Sequence, residues 1–366
     1  MTAHFVSPVL IDARHPPVVS VTVAHRLRRM WLATPAMGLL SVAMLVVFAL
    51  CGWRLFEWAI VDAHWRGSAS DACSGAGGAC WAFVIARWKP WLVGNYPSGE
   101  LWRAWVAFGA FATFWTWVVR RSYSASLRQV LLGFVLLPMG LFALLLGGGP
   151  LPFVAPTLWG GLLLTMVVTL ATFASALPAG LCLALGRRSR LPIVRALSGT
   201  FVEGMRSIPL LAVLFIAATL LPLFLPAGSN IDLFGRAVIA FALFNAALAA
   251  EVFRGGLQSI DRGQLEAATS VGLSDFAALR LIVLPQAVSA VIPALVNIMI
   301  AIIKETTLLS VIGVNDLLGA IENGAKSPDW MGESNILASG HVFLAIAYLA
   351  LCLGLSRYSR RLETQR

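Results

Sequence analysis

The sequence predicts an all-α membrane protein with about eight transmembrane helices, and three observations support this fold class. Of its 366 residues, 59% are hydrophobic and only 12% are charged, which is about half the charged share of an ordinary soluble domain. Apolar runs recur along the chain, and a run of about 20 residues is what crossing roughly 30 Å of hydrocarbon requires. Polar, arginine-bearing segments separate these runs. Much of the surface must therefore face the lipid bilayer.

Eight apolar runs are candidate spans. In chain order they are 33–53, 104–119, 129–147, 159–185, 200–225, 236–253, 286–303 and 339–356. The first run is too long for the apolar part of a signal peptide, so it predicts a retained helix after a basic tail at 1–30. Gly147-Gly148-Gly149-Pro150 breaks the helical pattern. This break divides a three-helix region, 31–156, from a five-helix region, 157–366.

The distribution of basic residues predicts the topology. Most of the 27 lysines and arginines fall on segments that share one side if the N-terminus is cytoplasmic, as the positive-inside rule requires. Both termini are therefore predicted to be cytoplasmic, with 61–100 and 304–338 outside. Since topology accounts for the net charge of +10, nucleic acid is not an expected partner.

The outer loop 61–100 carries two cysteines and several tryptophans. Cys73 and Cys80 form a candidate disulfide, because an extracytoplasmic compartment permits one. No histidine or further thiol completes a metal site beside them. Five tryptophans lie in this loop or just after it: Trp81, Trp88, Trp91, Trp102 and Trp105. They suit an aromatic belt at the membrane interface, and a platform on which a ligand stacks is the alternative.

The polar segment 254–285 predicts two short helices. Asp261 can cap the first helix, with Gln264 completing a capping box. Gly272 suits a left-handed position at its end. Ser274 can cap the second helix, which Pro285 closes before the next span. An amphipathic loop lying on lipid is the other interpretation of this pattern.

Particular residues in this segment have a more specific meaning. Their order is E-A-A, a glycine after three residues, and I-x-L-P after nine more. This order resembles the cytoplasmic coupling loop of bacterial binding-protein-dependent ABC importers. The matching residues are Glu266, Ala267, Ala268, Gly272, Ile282, Leu284 and Pro285.

Three further segments resemble polar amino-acid ABC permeases. They are 201–211 (FVEGMRSIPLL), 250–260 (AEVFRGGLQSI) and 304–313 (KETTLLSVIG), the last departing at Thr307, where serine is commoner. The similarity covers roughly 157–357, and 78–83 is similar to the longer second permease of general L-amino-acid importers. The resemblance implies a five-helix permease core preceded by three extra helices, in a bacterial inner membrane. Its implied partners are ABC ATPase subunits, a second permease subunit and a periplasmic amino-acid-binding protein.

Charged residues at the ends of spans form two candidate ion pairs. Glu203 with Arg206, and Glu251 with Arg254, are each three residues apart, so each pair shares a helical face. Stabilisation of an inner helix end is one interpretation. Gating or coupling is the other.

Polar residues around the seventh span are candidates for a substrate path. Lys304 and Glu305, followed by Thr306, could meet the carboxylate and ammonium of a zwitterion, or they could mark the outer boundary of the helix. Asn245 and Asn297 lie inside spans and could join helices or line the path.

Missing motifs limit the function. The sequence has no phosphate-binding loop and no G-x-S-x-G elbow, so we expect neither catalysis nor a cofactor, and any ATPase would be a separate chain. The alternatives to an ATP-driven permease are an ion-coupled secondary transporter, which would want internal repeats, and a non-transport membrane scaffold or enzyme.

Overall fold

A computed structural model describes residue 31 and residues 34–74, 77–121, 127–224, 226, 231–332 and 334–363. The predicted basic tail, 1–30, lies outside these residues. The chain divides into two compact units, Met1–Ala63 and His64–Arg366.

The described residues are almost entirely helical. The α-helices are α1 Pro35–Phe56, α2 Trp81–Ala86, α3 Trp88–Val93, α4 Leu101–Arg121, α5 Leu127–Leu146, α6 Gly161–Arg187, α7 Pro192–Ser207, α8 Leu210–Phe215, α9 Leu221–Phe224, α10 Leu233–Gln258, α11 Arg262–Ser270, α12 Asp275–Ala278, α13 Leu284–Glu305, α14 Leu317–Ala325 and α15 Ser334–Glu363. Helix α1 belongs to the first unit and the others to the second.

Helices lie at all eight predicted spans. Among the described residues, five segments are long and apolar enough to cross a membrane, and a sixth is added if one bent helix pair counts as a span. The five are Pro35–Val61, Gly161–Arg187, Leu233–Gln258, Asp275–Ile312 and Asn335–Arg360. The predicted spans 104–119 and 129–147 correspond to α4 and α5. The all-α membrane fold is confirmed.

The predicted span 200–225 is wrong as a single helix. Helix α7 ends at Ser207, and the chain bends by 103° before continuing at Leu210. Proline disfavours helical backbone in the residue before it and lacks an N–H of its own. Ile208 and Pro209 accordingly adopt extended backbone, with ψ of 135° and 138°. The apolar character of the run hid this break.

The core of the second unit forms where α6, α10 and α13 pack closely. A Cβ on Gly180 of α6 would lie 2.7 Å from the Ala249 Cβ of α10. Similarly, a Cβ on Gly256 of α10 would lie 2.9 Å from the Ala287 carbonyl oxygen of α13. Small residues at helix crossings let backbones approach in this way inside membranes. These three helices therefore form the scaffold on which the candidate sites lie.

The described part of the predicted outer loop from residue 64 onwards packs against the other end of this scaffold. Cys73 and Cys80 form a disulfide. They belong to a second hydrophobic cluster, which also contains Trp91 and the buried residues Leu317 and Ile321 of α14. Trp91 is fully buried, so the aromatic-belt interpretation is wrong for this residue. Burial against Phe83, with ring centroids 5.1 Å apart, explains its position.

Candidate functional site: a loop, an ion-pair network and a polar helix face

The 254–285 loop is built around a capped short helix, α11. The Asp261 carboxylate accepts a hydrogen bond from the Gly263 N–H at 3.0 Å, as an N-cap does. At the other end Gly272 has φ of +81°. The Leu273 N–H donates to the Ala268 carbonyl and the Gly272 N–H to the Thr269 carbonyl, which is a Schellman motif. The predicted cap and glycine bend are therefore present.

The predicted capping box does not form. The Gln264 side-chain oxygen accepts from the Gln286 amide at 3.3 Å, instead of turning back to the first turn of α11. This contact ties α11 to the base of α13.

The second helix of the loop is not separate from the following span, contrary to the prediction. Ser274 caps α12 by accepting from the Ala277 N–H at 3.3 Å. The helix then continues through a π-helical turn, Leu279–Val283, directly into α13. Pro285 lies in the first turn of α13, just after this change of hydrogen-bond register. The wider turn accommodates the missing proline N–H, so Pro285 does not end the helix.

The loop exposes a mixed apolar and charged surface. Ala268 and Ala278 are buried between its two helices, whereas Glu266 and Leu265 of α11 are exposed. Val271 and Phe276, on either side of the glycine bend, are 76% and 70% exposed. Exposed apolar patches are typical of interaction surfaces.

Above the loop, Glu251 is the centre of an ion-pair network. Its carboxylate accepts hydrogen bonds from Arg254 at 2.6 and 2.9 Å and from Arg187 of α6. The Arg206 guanidinium lies 3.7 Å away. The predicted Glu251–Arg254 pair is thus part of a larger arrangement that joins α6, α7 and α10.

The predicted pair of Glu203 with Arg206 does not form. Glu203 instead pairs with Arg187 at 2.9 Å, while Arg206 approaches Glu251. The reason is that α6 places a third guanidinium between the two acids, and it bridges them more closely than the helical neighbour can.

Helix α13 mostly buries its apolar side chains and exposes its polar ones, which is the reverse of a membrane span that faces lipid. Most of its large apolar residues, among them Val291, Met299 and Ile302, are buried. Leu284, Ile292 and Ile300 are half-buried, and none is exposed. The exposed positions of α13 carry polar or small side chains and the near-terminal proline. They are Pro285, Gln286, Ser289, Ala290, Asn297 and Lys304. We call this the polar face of α13. A lipid-facing helix shows the opposite pattern, as α15 does with exposed Ile346 and Leu349.

The candidate path residues separate into two groups. Lys304 and Asn297, seven residues apart, share the polar face. Glu305 turns inward, where the Asn245 amide interacts with its carboxylate. Asn245 is fully buried and donates to the Phe241 carbonyl at 3.0 Å. Lys304 and Glu305 therefore do not present a joint surface, and Asn245 lies in the interior of the helix bundle beside the end of α13.

Thr306 leads into a buried polar cluster that sequence reasoning missed. Its hydroxyl lies 3.2 Å from the Tyr348 hydroxyl of α15. Tyr348 donates to the Asp316 carboxylate at 3.4 Å, and Asp316 also accepts from the Gly319 N–H at 2.9 Å as the N-cap of α14. Asp316 is fully buried. The signal available in the sequence was its position three residues before a glycine at the start of an apolar helix.

Burial gives the stability of this region a specific pH dependence. Desolvation raises the pKa of Asp316 from 3.8 to about 6, with a smaller contribution from nearby Glu322. Between these values the folded state holds the proton more tightly than the unfolded state, so the free energy of unfolding falls as the pH rises from about 4 to about 6. The size of this effect is about 3 kcal/mol.

Asp316→Asn, which keeps the cap, is expected to remove this decline. Unfolding midpoints of the detergent-purified protein at pH 4 to 7 measure it, with the exposed Asp329→Asn as control. A variant whose stability falls with pH as the wild type's does would contradict the assignment.

Comparisons with known proteins agree with this architecture. A model of the family described as "binding-protein-dependent transport system inner membrane component" matches residues 176–365. The inner membrane amino-acid ABC transporter permease protein YhdY of Escherichia coli (strain K12) is 40% identical over 86% of this chain and 86% of its own length. The glutamate/glutamine/aspartate/asparagine transport system permease protein BztC of Rhodobacter capsulatus is 31% identical over 98% of this chain and 97% of its own.

Solved structures include a similar fold. The crystal structure of an amino acid ABC transporter with histidines has 30% identity and a TM-score of 0.51, covering 56% of this chain and 92% of that chain. The residues that the family model matches include the 254–285 loop, the ion-pair network around Glu251 and the polar face of α13. The chain is therefore a multi-pass membrane protein that belongs to the binding-protein-dependent transport system inner membrane components.

Proposed function

We propose that this chain is the permease subunit of an importer that moves L-amino acids across a bacterial inner membrane by alternating access. A separate ABC ATPase would supply the energy and dock against the 254–285 loop. This chain would contribute no catalytic group. The amino-acid class is supported by YhdY, an amino-acid ABC transporter permease, and by BztC, a permease for glutamate, glutamine, aspartate and asparagine, since both are similar to this chain over most of their length.

The observation that carries this proposal is the continuity of the loop with a membrane span. Helix α12, the π-helical turn and α13 follow one another without a break and continue to Ile312. A displacement of the exposed surface around Glu266 and Phe276 would therefore move α13 as a rigid body. Lys304 and Glu305 lie at the end of α13 remote from the loop. The ion-pair network around Glu251 would keep α6, α7 and α10 together while α13 moves.

The polar face of α13 supports a translocation path on that side of the chain. A second permease subunit would cover this face, so that Asn297 and Lys304 line a cavity between the two subunits. Water is partly excluded from such a cavity, which strengthens the attraction between an ammonium group and a substrate carboxylate. A periplasmic amino-acid-binding protein would deliver the substrate.

Substitutions at the far end of α13 test this path. Lys304→Met is expected to raise the half-saturating concentration for uptake about tenfold, which corresponds to about 1.4 kcal/mol. Glu305→Gln should raise it less, because Glu305 contacts Asn245 rather than the polar face. Concentration-dependent uptake into vesicles measures both, with the exposed Lys326→Met as control. Unchanged curves for both variants would remove these residues from the path.

The coupling proposal requires the 254–285 loop and both termini to be cytoplasmic. Single cysteines at Ser98 and Gln264, both exposed, test this after the free cysteines Cys51, Cys182 and Cys352 are replaced and the Cys73–Cys80 disulfide is kept. A membrane-impermeant maleimide applied to spheroplasts should label position 98 and spare position 264. The reverse pattern would overturn both the topology and the coupling.

A further inference from the structure

A small pocket lies at the opposite end of α6 from the ion-pair network. Its volume is about 130 Å³, and its lining includes Arg87, Asn95, Trp159, Asn315 and Asn323. One water needs only about 10–15 Å³ of such volume, so the pocket has room for a solute of several heavy atoms. None of these residues belongs to the polar face of α13.

Close backbone contacts fix the walls of the pocket. Gly94 has φ of +66°, and a Cβ there would lie 2.5 Å from the Gly160 Cα. A Cβ on Gly160 would in turn lie 3.0 Å from the Asn315 carbonyl oxygen. The Gly161 N–H donates to that same oxygen at 3.0 Å. Part of the pocket wall is therefore backbone, held by three chain segments in contact.

Two donors of the lining have no acceptor. The Arg87 guanidinium donates through Nη2 to the Gly324 carbonyl at 3.3 Å, but its Nε is buried without a partner among the described residues. Trp159 is 2% exposed, and its indole N–H also has no acceptor in that part of the chain. Native structures seldom leave buried donors unsatisfied. Arg87 is the one cation among the described residues that line the pocket, and a guanidinium in a pocket wall is suited to an anionic oxygen ligand.

The asparagines add a complementary acceptor. The Asn323 amide N–H donates to the Asn315 side-chain oxygen at 2.5 Å. This leaves the Asn315 amide nitrogen as a further donor and the Asn323 side-chain oxygen as an acceptor. Asn323 and Asn95 are exposed, whereas Trp159 is buried. The pocket lining therefore offers an acceptor at Asn323 and donors at Arg87 and Asn315.

We propose that this pocket binds a free small L-α-amino acid, with its carboxylate at Arg87 and its ammonium group towards Asn323. The choice of amino acids as ligand class rests on the proposed function. The pocket would be a binding site at the predicted outer side of the protein, separate from the proposed translocation path along the polar face of α13. Its occupancy would hold the segment carrying α2 and α3 against α14.

Equilibrium binding to the purified full-length chain in nanodiscs tests this directly. L-Alanine is the probe, and titration calorimetry or tryptophan fluorescence is the readout, with neither ATPase nor binding protein present. We expect saturable binding that Arg87→Met weakens at least tenfold. Lys89→Met, which removes a cation two residues away and outside the pocket lining, should leave the affinity unchanged. Propionate alone should compete more weakly than L-alanine, because it lacks the ammonium group.

The outcomes separate this site from the proposed function. Absence of saturable L-alanine binding, equal affinity of Arg87→Met and wild type, or equal competition by propionate would each overturn the site while leaving ATP-driven uptake untouched. Conversely, binding without uptake would contradict the transport proposal alone. If Arg87→Met does not fold, Ala320→Leu decides, because it fills the pocket from α14 and should abolish binding.

Discussion

Replacing Gly272 with valine is expected to reduce binding-protein-stimulated ATP hydrolysis and uptake at least tenfold, while the membrane helices still insert. Gly272 has φ of +81°, and no atom lies within 4 Å of a Cβ added to it. The effect would therefore come from backbone conformation and not from a clash. A left-handed conformation costs most residues about 1–2 kcal/mol and is a genuine outlier for a β-branched residue.

The backbone strain that valine would introduce at position 272 would alter the surface that we assign to coupling. The Schellman motif at Gly272 sets the angle between α11 and α12 and so places Glu266 relative to Phe276. Gly272→Asn is the matched control, because asparagine tolerates positive φ, and it should retain most of the activity. ATP hydrolysis by the reconstituted complex measures both variants. Equal loss in the two would show that side-chain bulk, rather than backbone conformation, is responsible.

Glu251→Gln is expected to destabilise the chain by about 2 kcal/mol, between the values for exposed and for buried ion pairs, because it leaves the charge of partly buried guanidinium groups uncompensated. The side chain is 18% exposed and faces Arg187, Arg206 and Arg254. Without it, three guanidinium groups would remain together with only Glu203 to neutralise them. Unfolding midpoints in detergent measure the loss.

Glu203 supplies the control for this prediction. Among the described residues its ion pair is with Arg187, and its side chain is 67% exposed; exposed pairs contribute about 0–1 kcal/mol. Glu203→Gln should therefore leave stability nearly unchanged. Comparable losses in the two variants would mean that Glu251 is not the centre of the network.

Local patterns predicted the fold well where a single residue determines the backbone. The side chains of Asp261 and Ser274 cap the two helices, and Gly272, which lacks a Cβ, adopts the positive φ of the bend. The errors arose where the outcome depends on register or on a distant helix. Pro285 was expected to end a helix, but a π-helical turn accommodates it. Ile208-Pro209 broke a span that composition alone made continuous.

The candidate site was predicted only where its residues are close together in the sequence. The E-A-A motif located the loop, because its residues are adjacent in sequence. The partner of Glu203 could not be predicted, since Arg187 arrives from another helix. Asp316 and the Arg87 pocket also depend on packing between segments that are far apart in the chain.

The most direct test of the account is amino-acid uptake by proteoliposomes that contain this chain, a second permease subunit and the ATPase, with the binding protein outside. The account predicts that uptake of labelled L-amino acids requires ATP on the side of the 254–285 loop and is unaffected when ion gradients are collapsed. Uptake that persists without ATP and follows an imposed ion gradient would contradict it.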